Sequence, residues 1–301
     1  MREGRPSATA YLIARSTLAI ARHPVLNPLV PRRSVELSER FVRTRSRFAR
    51  WTSAVGDSSL ARPLVYALEH VTVPGIRLHY ALRKRCLEEM ARAALGEGFG
   101  QVVVLGAGFD TLALRLHKAF PRTTFFEVDH PATQRAKILA LGGDELPGRN
   151  VRFISLDLAR CSLERALLAR AEYDAEANTL FVAEGLLMYL ALAEVDLILN
   201  FIRRYSGHAS RLAFTFMETQ EGGRIGFRRS SPLVNAWLRL RGESFRWGLP
   251  HAQAREFLAA RGLAVREVVT SETLRARYLT ADGLRDRRLA EGECLCVCEL
   301  S

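Results

Sequence analysis

Residues Gln101–Leu116 constrain the fold of this chain more than any other segment. The segment reads Gln-Val-Val-Val-Leu-Gly-Ala-Gly-Phe-Asp-Thr-Leu-Ala-Leu-Arg-Leu, so a valine-rich run stops at Gly-x-Gly and a helix-like pattern follows. That order predicts a buried parallel strand, a tight turn and the start of a helix. Because glycine has no Cβ, the turn at Gly106, Ala107 and Gly108 can be sharp and can admit a ligand closely.

A second apolar strand is predicted over Thr123–Val128, and it ends in acid at Glu127 and Asp129. A carboxylate about 20 residues after a glycine turn commonly binds the two hydroxyls of a ribose. The alternative interpretation is that the glycines form a simple strand-to-helix turn and that the acids are ordinary surface residues. We expect a nucleoside-type cofactor at the carboxyl edge of the sheet.

The turn favours S-adenosylmethionine over a dinucleotide. A dinucleotide fingerprint has a third Gly or Ala, whereas this chain has Thr111 there, preceded by Asp110. An acid at a helix start opposes an anionic pyrophosphate but suits the ammonium and sulfonium groups of S-adenosylmethionine. No G-x-x-x-x-G-K-[ST] motif occurs in the sequence.

From Gly98 onward, predicted strands and helices alternate, which indicates an α/β fold with a doubly wound, mostly parallel sheet and helices on both faces. The predicted strands are Gln101–Leu105, Thr123–Val128, Val151–Ser155, Thr179–Ala183, Arg211–Met217, Ala264–Val269 and Glu293–Glu299. The predicted helices are Thr111–Ala119, Pro131–Leu141, Leu163–Glu172, Ala193–Tyr205 and His251–Ala260. The last two strands could pair antiparallel across a loop-like span, Ser271–Gly292.

Three regions are expected along the chain. Residues 1–95 are mostly helical, with proline-marked breaks at Pro24–Pro31 and Pro63–Pro74, and are predicted to form a cap. Residues 96–301 form the predicted cofactor-binding core. Within it, residues 218–250 interrupt the alternation and are expected to act as a lid or substrate wall.

The 301 residues carry a net charge of +12, but the arginines are scattered and form no basic block with interleaved aromatics. A nucleic-acid partner is therefore not favoured, and no segment approaches the ~20 apolar residues of a membrane helix. Of the five cysteines, Cys294, Cys296 and Cys298 would share one strand face as small buried hydrophobes. We expect no metal site, because zinc prefers C-x-x-C spacing. The odd cysteine count favours a reducing, cytoplasmic location.

Arg83 falls in the middle of the apolar stripe of the predicted helix Ile76–Leu95. An unpaired buried guanidinium is very costly, so Arg83 must find an anion. It could bind a ligand carboxylate, such as that of S-adenosylmethionine. Alternatively, it could form an internal ion pair with an acid such as Asp110, or reach to solvent. His79 lies on the same side, where a structural, hydrogen-bonded role is expected.

Other side chains follow predicted strands at the same edge. Glu184 directly follows the fourth predicted strand. It could face the cationic part of the cofactor, or it could be an acid that stabilises a helix start. Tyr189 could face either the pocket or the core. Asp157 follows the third strand, where it could accept from an adenine amino group beside Leu158 or remain a solvated turn residue.

Together these residues resemble the leucine carboxyl methyltransferase family, which includes protein phosphatase methyltransferases and bacterial small-molecule O-methyltransferases. The resemblance is carried by Leu82–Glu89, Gln101–Thr111, Phe126–Pro131 with Lys137, and Ala183–Leu190. It implies the fold of a class I S-adenosylmethionine-dependent methyltransferase, with a seven-stranded sheet and a helical N-terminal cap. Leu112 and Leu114 depart from the family pattern of an arginine and an aromatic residue.

The resemblance also implies roles for individual residues. Arg83 resembles the arginine that holds the cofactor carboxylate, and Gly106 and Gly108 the turn beneath its methionine part. Asp129 or Glu127 would bind the ribose. Asp157 and Leu158 resemble the adenine neighbours, and Glu184 the acid beside the cofactor.

The expected reaction is methyl transfer to a carboxylate or hydroxyl oxygen, with a small metabolite as acceptor and with Glu184 and Tyr189 as candidate catalytic residues. A carboxylate needs no general base, whereas an alcohol or phenol benefits from one; no convincing histidine–carboxylate pair is visible in the sequence. Alternatives are protein carboxyl methylation, nucleic-acid methylation, a non-catalytic binding module and an NAD-dependent oxidoreductase. Nucleic-acid methylation is disfavoured because the chain has Glu184-Gly-Leu-Leu in place of [DNS]-P-P-[YF] and lacks Pro-Cys.

Overall fold

Within the part of the chain that the computed structural model describes, residues 4, 6–44, 67, 69–142 and 148–301, seven strands form one sheet. The strands are β1 (Gln101–Leu105), β2 (Thr124–Asp129), β3 (Val151–Ser155), β4 (Thr179–Ala183), β5 (Arg211–Met217), β6 (Leu263–Val269) and β7 (Glu293–Leu300). Their order is β3-β2-β1-β4-β5-β7-β6. Only β7 runs antiparallel to its neighbours β5 and β6. The predicted parallel sheet and antiparallel closing pair are confirmed.

Helices follow the predicted alternation. They are α1 (Ala8–Ala21), α2 (Arg32–Arg43), α3 (Ile76–Gly96), α4 (Leu112–Leu116), α5 (Pro131–Leu141), α6 (Leu163–Leu168), α7 (Leu192–Arg204), α8 (Pro232–Arg241), α9 (Ala254–Ala259) and α10 (Ser271–Tyr278). α4 and α6 are shorter than predicted. None of these helices, which cover only described residues, is both long and apolar enough to span a membrane.

The expectation of a loop over Ser271–Gly292 was wrong, because its first part is the helix α10. The hydroxyl of Thr270 accepts from the backbone N–H of Thr273, and Thr273 reaches back to Thr270, which caps the helix start. Leu274 is the buried residue of this helix, so its sequence carries almost no apolar periodicity. The capping residues at the helix start were present in the sequence, but the apolar periodicity that normally indicates a helix was not.

The core lies on both faces of the sheet, which is why β1 is apolar along its whole length. On one face Val102 and Val104 pack in a cluster with residues of α3, α4 and α10. On the other face Val103 and Leu105 pack with residues of α6, α7 and α9. Cys294, Cys296 and Cys298 are all buried on this second face, as predicted.

The N-terminal helices pack on the segment that follows β1. Phe109 stacks on Phe41 of α2 with ring centroids 5.1 Å apart, and its ring edge meets Tyr11 of α1. A short 3₁₀ turn, Asn27–Leu29, forms the predicted break between α1 and α2. Pro63 lies outside the described residues. The cap over residues 1–95 and the core over residues 96–301 remain a proposed division.

Candidate functional site

The turn after β1 requires glycine at two positions. Gly106 and Gly108 have φ values of +62° and +50°, in the left-handed region that L side chains rarely adopt. A Cβ on Gly106 would lie 2.8 Å from Cδ1 of Leu186. The backbone N–H of Ala107 donates to the carbonyl of Val128 at 3.1 Å, which ties the turn to the end of β2.

Asp129 ends β2 directly beside this turn. Its Oδ2 accepts a hydrogen bond from the backbone N–H of Gly108 at 3.1 Å. Burial raises the pKa of Asp129 to about 7, although the N–H groups of His130 and Gly108 and the more distant Lys137 act against this. No cation among the described residues forms an ion pair with Asp129. The turn therefore holds a buried carboxylate whose charge the protein leaves largely uncompensated.

Glu127, the other acid of β2, has a different environment. Its Oε2 lies 2.6 Å from Nζ of Lys137, and both side chains are buried. Burial nonetheless raises the pKa of Glu127, with Lys137 opposing the shift. Lys137 also donates to the backbone carbonyl of Asp110 at 2.6 Å. Of the two predicted ribose ligands, Asp129 is the one at the strand end without an ion-pair partner.

Asp157 and Leu158 lie after β3, on the far side of Asp129. The backbone N–H of Leu156 donates to the carbonyl of Asp129 at 2.8 Å, which places this loop against the end of β2. Asp157 accepts from the N–H of Ala159 at 3.1 Å and lies 3.8 Å from Nε2 of His130. Leu158 is half-buried against the core. The adenine-binding role of this pair remains a prediction.

Arg83 is buried, as its place on the helix predicts, and two acids bind it. Its Nε donates to Oε1 of Glu184 at 2.8 Å, and its Nη1 donates to both oxygens of Glu293 at 2.7 and 2.8 Å. Internal ion pairing is thus present, but the expected partner Asp110 was wrong. Nη2 lies 2.7 Å from Glu184 Oε1 without hydrogen-bond alignment, so this buried donor has no hydrogen-bond partner among the described residues.

Lys84 takes the partner that the sequence suggested for Arg83. Its Nζ donates to Oδ2 of Asp110 at 2.5 Å and to Oε2 of Glu184 at 2.9 Å. Burial alone would raise the pKa of Asp110, but Lys84 and Lys137 lower it far below its usual range. Asp110 also accepts from the N–H of Leu112 at 2.6 Å, so it supports the start of α4.

We call the side chains of Arg83, Lys84, Asp110, Glu184 and Glu293 the arginine cluster. Its two cations face three carboxylates, so it carries one net negative charge when the adjoining His79 is neutral. His79 is fully buried, and its Nε2 lies 2.9 Å from Glu293, as its expected structural role requires. S-adenosylmethionine carries one net positive charge, so the cluster and this ligand are complementary in charge.

Tyr189, a predicted catalytic residue, lies in an aromatic and apolar environment. Its ring stacks on Phe245 with centroids 5.5 Å apart. Met188, Met217 and Phe227 belong to the cluster against which it packs. Burial raises the pKa of Tyr189 well above its usual value, so the phenol stays neutral. Both oxygens of Glu184 are already in ion pairs, and catalytic roles for these two residues remain predictions.

The first turn of α1 covers the glycine turn. The Cβ of Ala10 lies 3.4 Å from the position that a Cβ on Gly108 would occupy. Glu243, from the segment between β5 and β6, accepts hydrogen bonds from the backbone N–H groups of Ala8 and Thr9 at 3.0 and 3.1 Å. Ser7 donates to the same carboxylate at 3.0 Å. Residues 218–250 thus hold the N-terminal helix over the predicted cofactor turn.

A cleft of about 320 Å³ adjoins the arginine cluster on the side of α1, α2 and α3. Lys84, Phe109 and Thr111 line it, whereas Gly106 and Asp129 do not. It is therefore distinct from the crevice that the sequence predicted over the strand ends. Within the described residues, no three His, Cys, Asp or Glu side chains are grouped so that they could hold a metal ion.

Sequence reasoning missed Glu293 and Glu243, which contact their partners across more than 200 positions of the chain. Glu293 is the first residue of β7, and its position on the strand face opposite to the three cysteines was the available signal. Glu243 follows Gly242 at the end of α8 and gave no local signal. The pair of Glu218 and His251 was also missed, because 33 positions separate them.

Comparison with known proteins assigns the fold and the sequence family. A family model described as leucine carboxyl methyltransferase matches residues 8–203. A protein of Mycobacterium marinum, provisionally named an S-adenosyl-L-methionine-dependent methyltransferase, is 31% identical over 211 residues, which are 66% of this chain and 65% of the relative. A Mycobacteroides abscessus protein with the same provisional name is 32% identical over 257 residues, 79% of this chain and 76% of the relative. The chain thus spans slightly less than two thirds of the first of these relatives.

Solved structures share the fold at low sequence identity. A provisionally named methyltransferase from Thermobifida fusca superposes with a TM-score of 0.57 at 14% identity, covering 99% of this chain and 96% of that one. A DUF574 family protein from Streptomyces avermitilis gives a TM-score of 0.56 at 15% identity, covering 96% and 97%. The fold is that of the class I S-adenosylmethionine-dependent methyltransferases, as the resemblance implied.

Proposed function

Because the chain belongs to the leucine carboxyl methyltransferase family, we propose that it transfers a methyl group from S-adenosylmethionine to an oxygen atom of a small metabolite. The observation that carries this proposal is the pairing of two complementary features at one edge of the sheet. Asp129 is a buried carboxylate without an ion-pair partner among the described residues, bonded to the N–H of Gly108. The arginine cluster beside it carries one net negative charge when His79 is neutral.

The chain's residues fit the parts of this ligand. Asp129 would accept hydrogen bonds from the ribose hydroxyls, and Asp157 with Leu158 would contact the adenine. The unsatisfied Nη2 of Arg83 would donate to the ligand carboxylate, and Glu184 or Asp110 would attract its ammonium group. Glu127 remains the second candidate for the ribose, although its ion pair with Lys137 speaks against it.

When bound, S-adenosylmethionine supplies an already activated methyl group, so the protein has to align and dehydrate the reactants. Tyr189, Phe245 and Phe227 would form an apolar wall on the acceptor side. The α1 cover, held by Glu243, would exclude water from the turn. We propose a reducing, cytoplasmic setting on the strength of the five unpaired cysteines.

Calorimetry with S-adenosylmethionine, S-adenosylhomocysteine and NAD on the full chain tests the proposal. We expect the first two to bind and NAD to give no heat of binding. Asp129→Ala should weaken binding of both adenosyl compounds, whereas Asp196→Ala, a surface substitution on α7, should leave it unchanged. Binding of NAD alone, or of none of the three, would refute the proposed function.

A further inference from the structure

We propose that His251, positioned by Glu218, removes the proton from a hydroxyl group of the methyl acceptor, which makes this chain a methyltransferase for alcohols or phenols rather than carboxylates. The inference rests on the proposed function. It concerns the question that the sequence left open, namely whether the acceptor oxygen needs a general base.

Glu218 lies at the edge of the sheet where the cofactor residues are found. It directly follows β5, which pairs with β4, and Glu184 is the residue directly after β4. Its backbone N–H donates to the carbonyl of Gly292 at 2.7 Å, and Gly292 precedes Glu293 of the arginine cluster. The Glu218 side chain is 9% exposed, so its carboxylate is fixed within the protein. Glu218 therefore lies at the carboxyl edge of the sheet, next to Met217, which packs in the same cluster as Phe227 and Tyr189.

His251 is bound to Glu218 in the geometry of an oriented base. Its Nδ1 donates to Oε1 of Glu218 at 2.5 Å, while Nη2 of Arg228 donates to Oε2 at 2.9 Å. Burial would raise the pKa of Glu218, but the hydrogen bonds from His251 and Arg228 lower it below its usual range. An ionised carboxylate on Nδ1–H fixes the tautomer in which Nε2 carries a lone pair.

The imidazole is accessible to a ligand. His251 is 47% exposed, and it lines a cleft of about 160 Å³ together with Thr270 at the end of β6 and Glu293 at the start of β7. The lining of this cleft therefore includes both the histidine and an acid that binds Arg83. The charged side chains that line this cleft besides His251 are Glu218, Arg228, Glu272, Arg275, Glu291 and Glu293.

The proposed step balances without another reactant. The acceptor oxygen forms a bond to the methyl carbon while the carbon–sulfur bond of the donor breaks, and sulfur keeps that electron pair. The hydroxyl proton goes to Nε2 of His251, and the positive charge is stabilised by Glu218. Solvent at the half-exposed ring then removes the proton. A carboxylate acceptor has no proton to lose and would not use this pair.

The test uses methyl-tritiated S-adenosylmethionine and two sets of probes: phenol, catechol and benzyl alcohol on one side, benzoate and phenylacetate on the other. We compare the wild type with His251→Asn, Glu218→Gln and the control His208→Asn, which alters an exposed histidine in the turn before β5. At pH 7 the His251→Asn variant should methylate a hydroxyl probe at least tenfold more slowly. Glu218→Gln should lose less, and the control should match the wild type.

Two further readouts separate a base from a structural role. The deficit of His251→Asn with a phenol should shrink as pH approaches ~10, because the phenol then ionises by itself. Calorimetric binding of S-adenosylmethionine should stay unchanged in both variants.

Full activity of His251→Asn at pH 7, or methylation of carboxylate probes alone, would overturn the inference. So would binding of S-adenosylmethionine without methylation of any hydroxyl probe. Failure of the wild type to bind S-adenosylmethionine would instead refute the proposed function.

Discussion

Asp129 and Glu293 are buried carboxylates at the same edge of the sheet, yet their surroundings shift their pKa values in opposite directions. Burial would raise the pKa of Glu293, but Arg83 and His79 lower it to about 2. For Asp129 burial prevails and raises the pKa to about 7, because backbone N–H groups are its hydrogen-bond partners. The protein therefore neutralises one acid with its own side chains and leaves the other with unused capacity to accept hydrogen bonds.

This contrast distinguishes acids that stabilise the fold from acids that are available to bind a ligand. A carboxylate whose charge is balanced inside the fold stabilises the fold, and its loss leaves an uncompensated buried charge. A buried acid without a counter-charge lowers stability above its pKa, and such strain is typical of functional sites. The arginine cluster contains both kinds of contact, since Arg83 is balanced by two acids but keeps one unsatisfied nitrogen.

The largest expected effect comes from removing the balanced cation. Arg83→Ala should lower the free energy of unfolding by about 3–5 kcal/mol, because Glu184 and Glu293 would remain buried without this partner. Urea denaturation followed by circular dichroism measures it. Arg85→Ala is the matched control on the same helix, since its exposed pair with Glu89 should contribute less than about 1 kcal/mol. Equal losses in the two variants would contradict the structural role of Arg83.

A smaller effect of opposite sign is expected at Asp129. Its folded-state pKa is raised, so the folded protein holds a proton between pH ~4 and ~7 that the unfolded chain has released. Stability from this group is present below pH ~4 and is lost as pH rises through about 7. Asp129→Asn should therefore raise the melting temperature by roughly 2–4 °C at pH 8 and by nothing at pH 4.

The same variant should bind S-adenosylmethionine at least tenfold more weakly, because an amide accepts hydrogen bonds from hydroxyls less strongly than a carboxylate. Calorimetry and thermal melts on one preparation measure both effects. A variant that melts lower than the wild type at pH 8 would show that Asp129 is a supporting acid like Glu293.

The smallest expected effect concerns the cover over the glycine turn. α1 has no acid in its own first turn, and Glu243 supplies one from a distant segment. Glu243→Gln should cost about 1 kcal/mol of stability through the weakened cap. Dissociation of S-adenosylhomocysteine, measured by stopped flow, should become faster. Glu256→Gln, an exposed substitution on α9, is the control, and unchanged dissociation in Glu243→Gln would exclude a role in covering the turn.

Strand positions were predictable because a parallel sheet covered on both faces needs apolar segments of matching length. β1, β3, β4 and β5 begin and end at the predicted residues. The burial of Arg83 also followed from its helical position. The helix α10 could not be predicted in this way, because a surface helix with one buried residue lacks an apolar period.

The sequence itself determined three features: the glycine turn, the alternation of strands and helices, and the burial of Arg83. Each of them depends on residues that are close together in the sequence. Tertiary structure alone decided which charges meet. Arg83 and Glu293 are 210 positions apart and Glu218 and His251 are 33 apart, and only the packing of strand ends at one edge brings each pair into contact. Local sequence patterns indicate which side chains become buried. The partner of a buried charge, however, depends on the order of all the strands in the sheet.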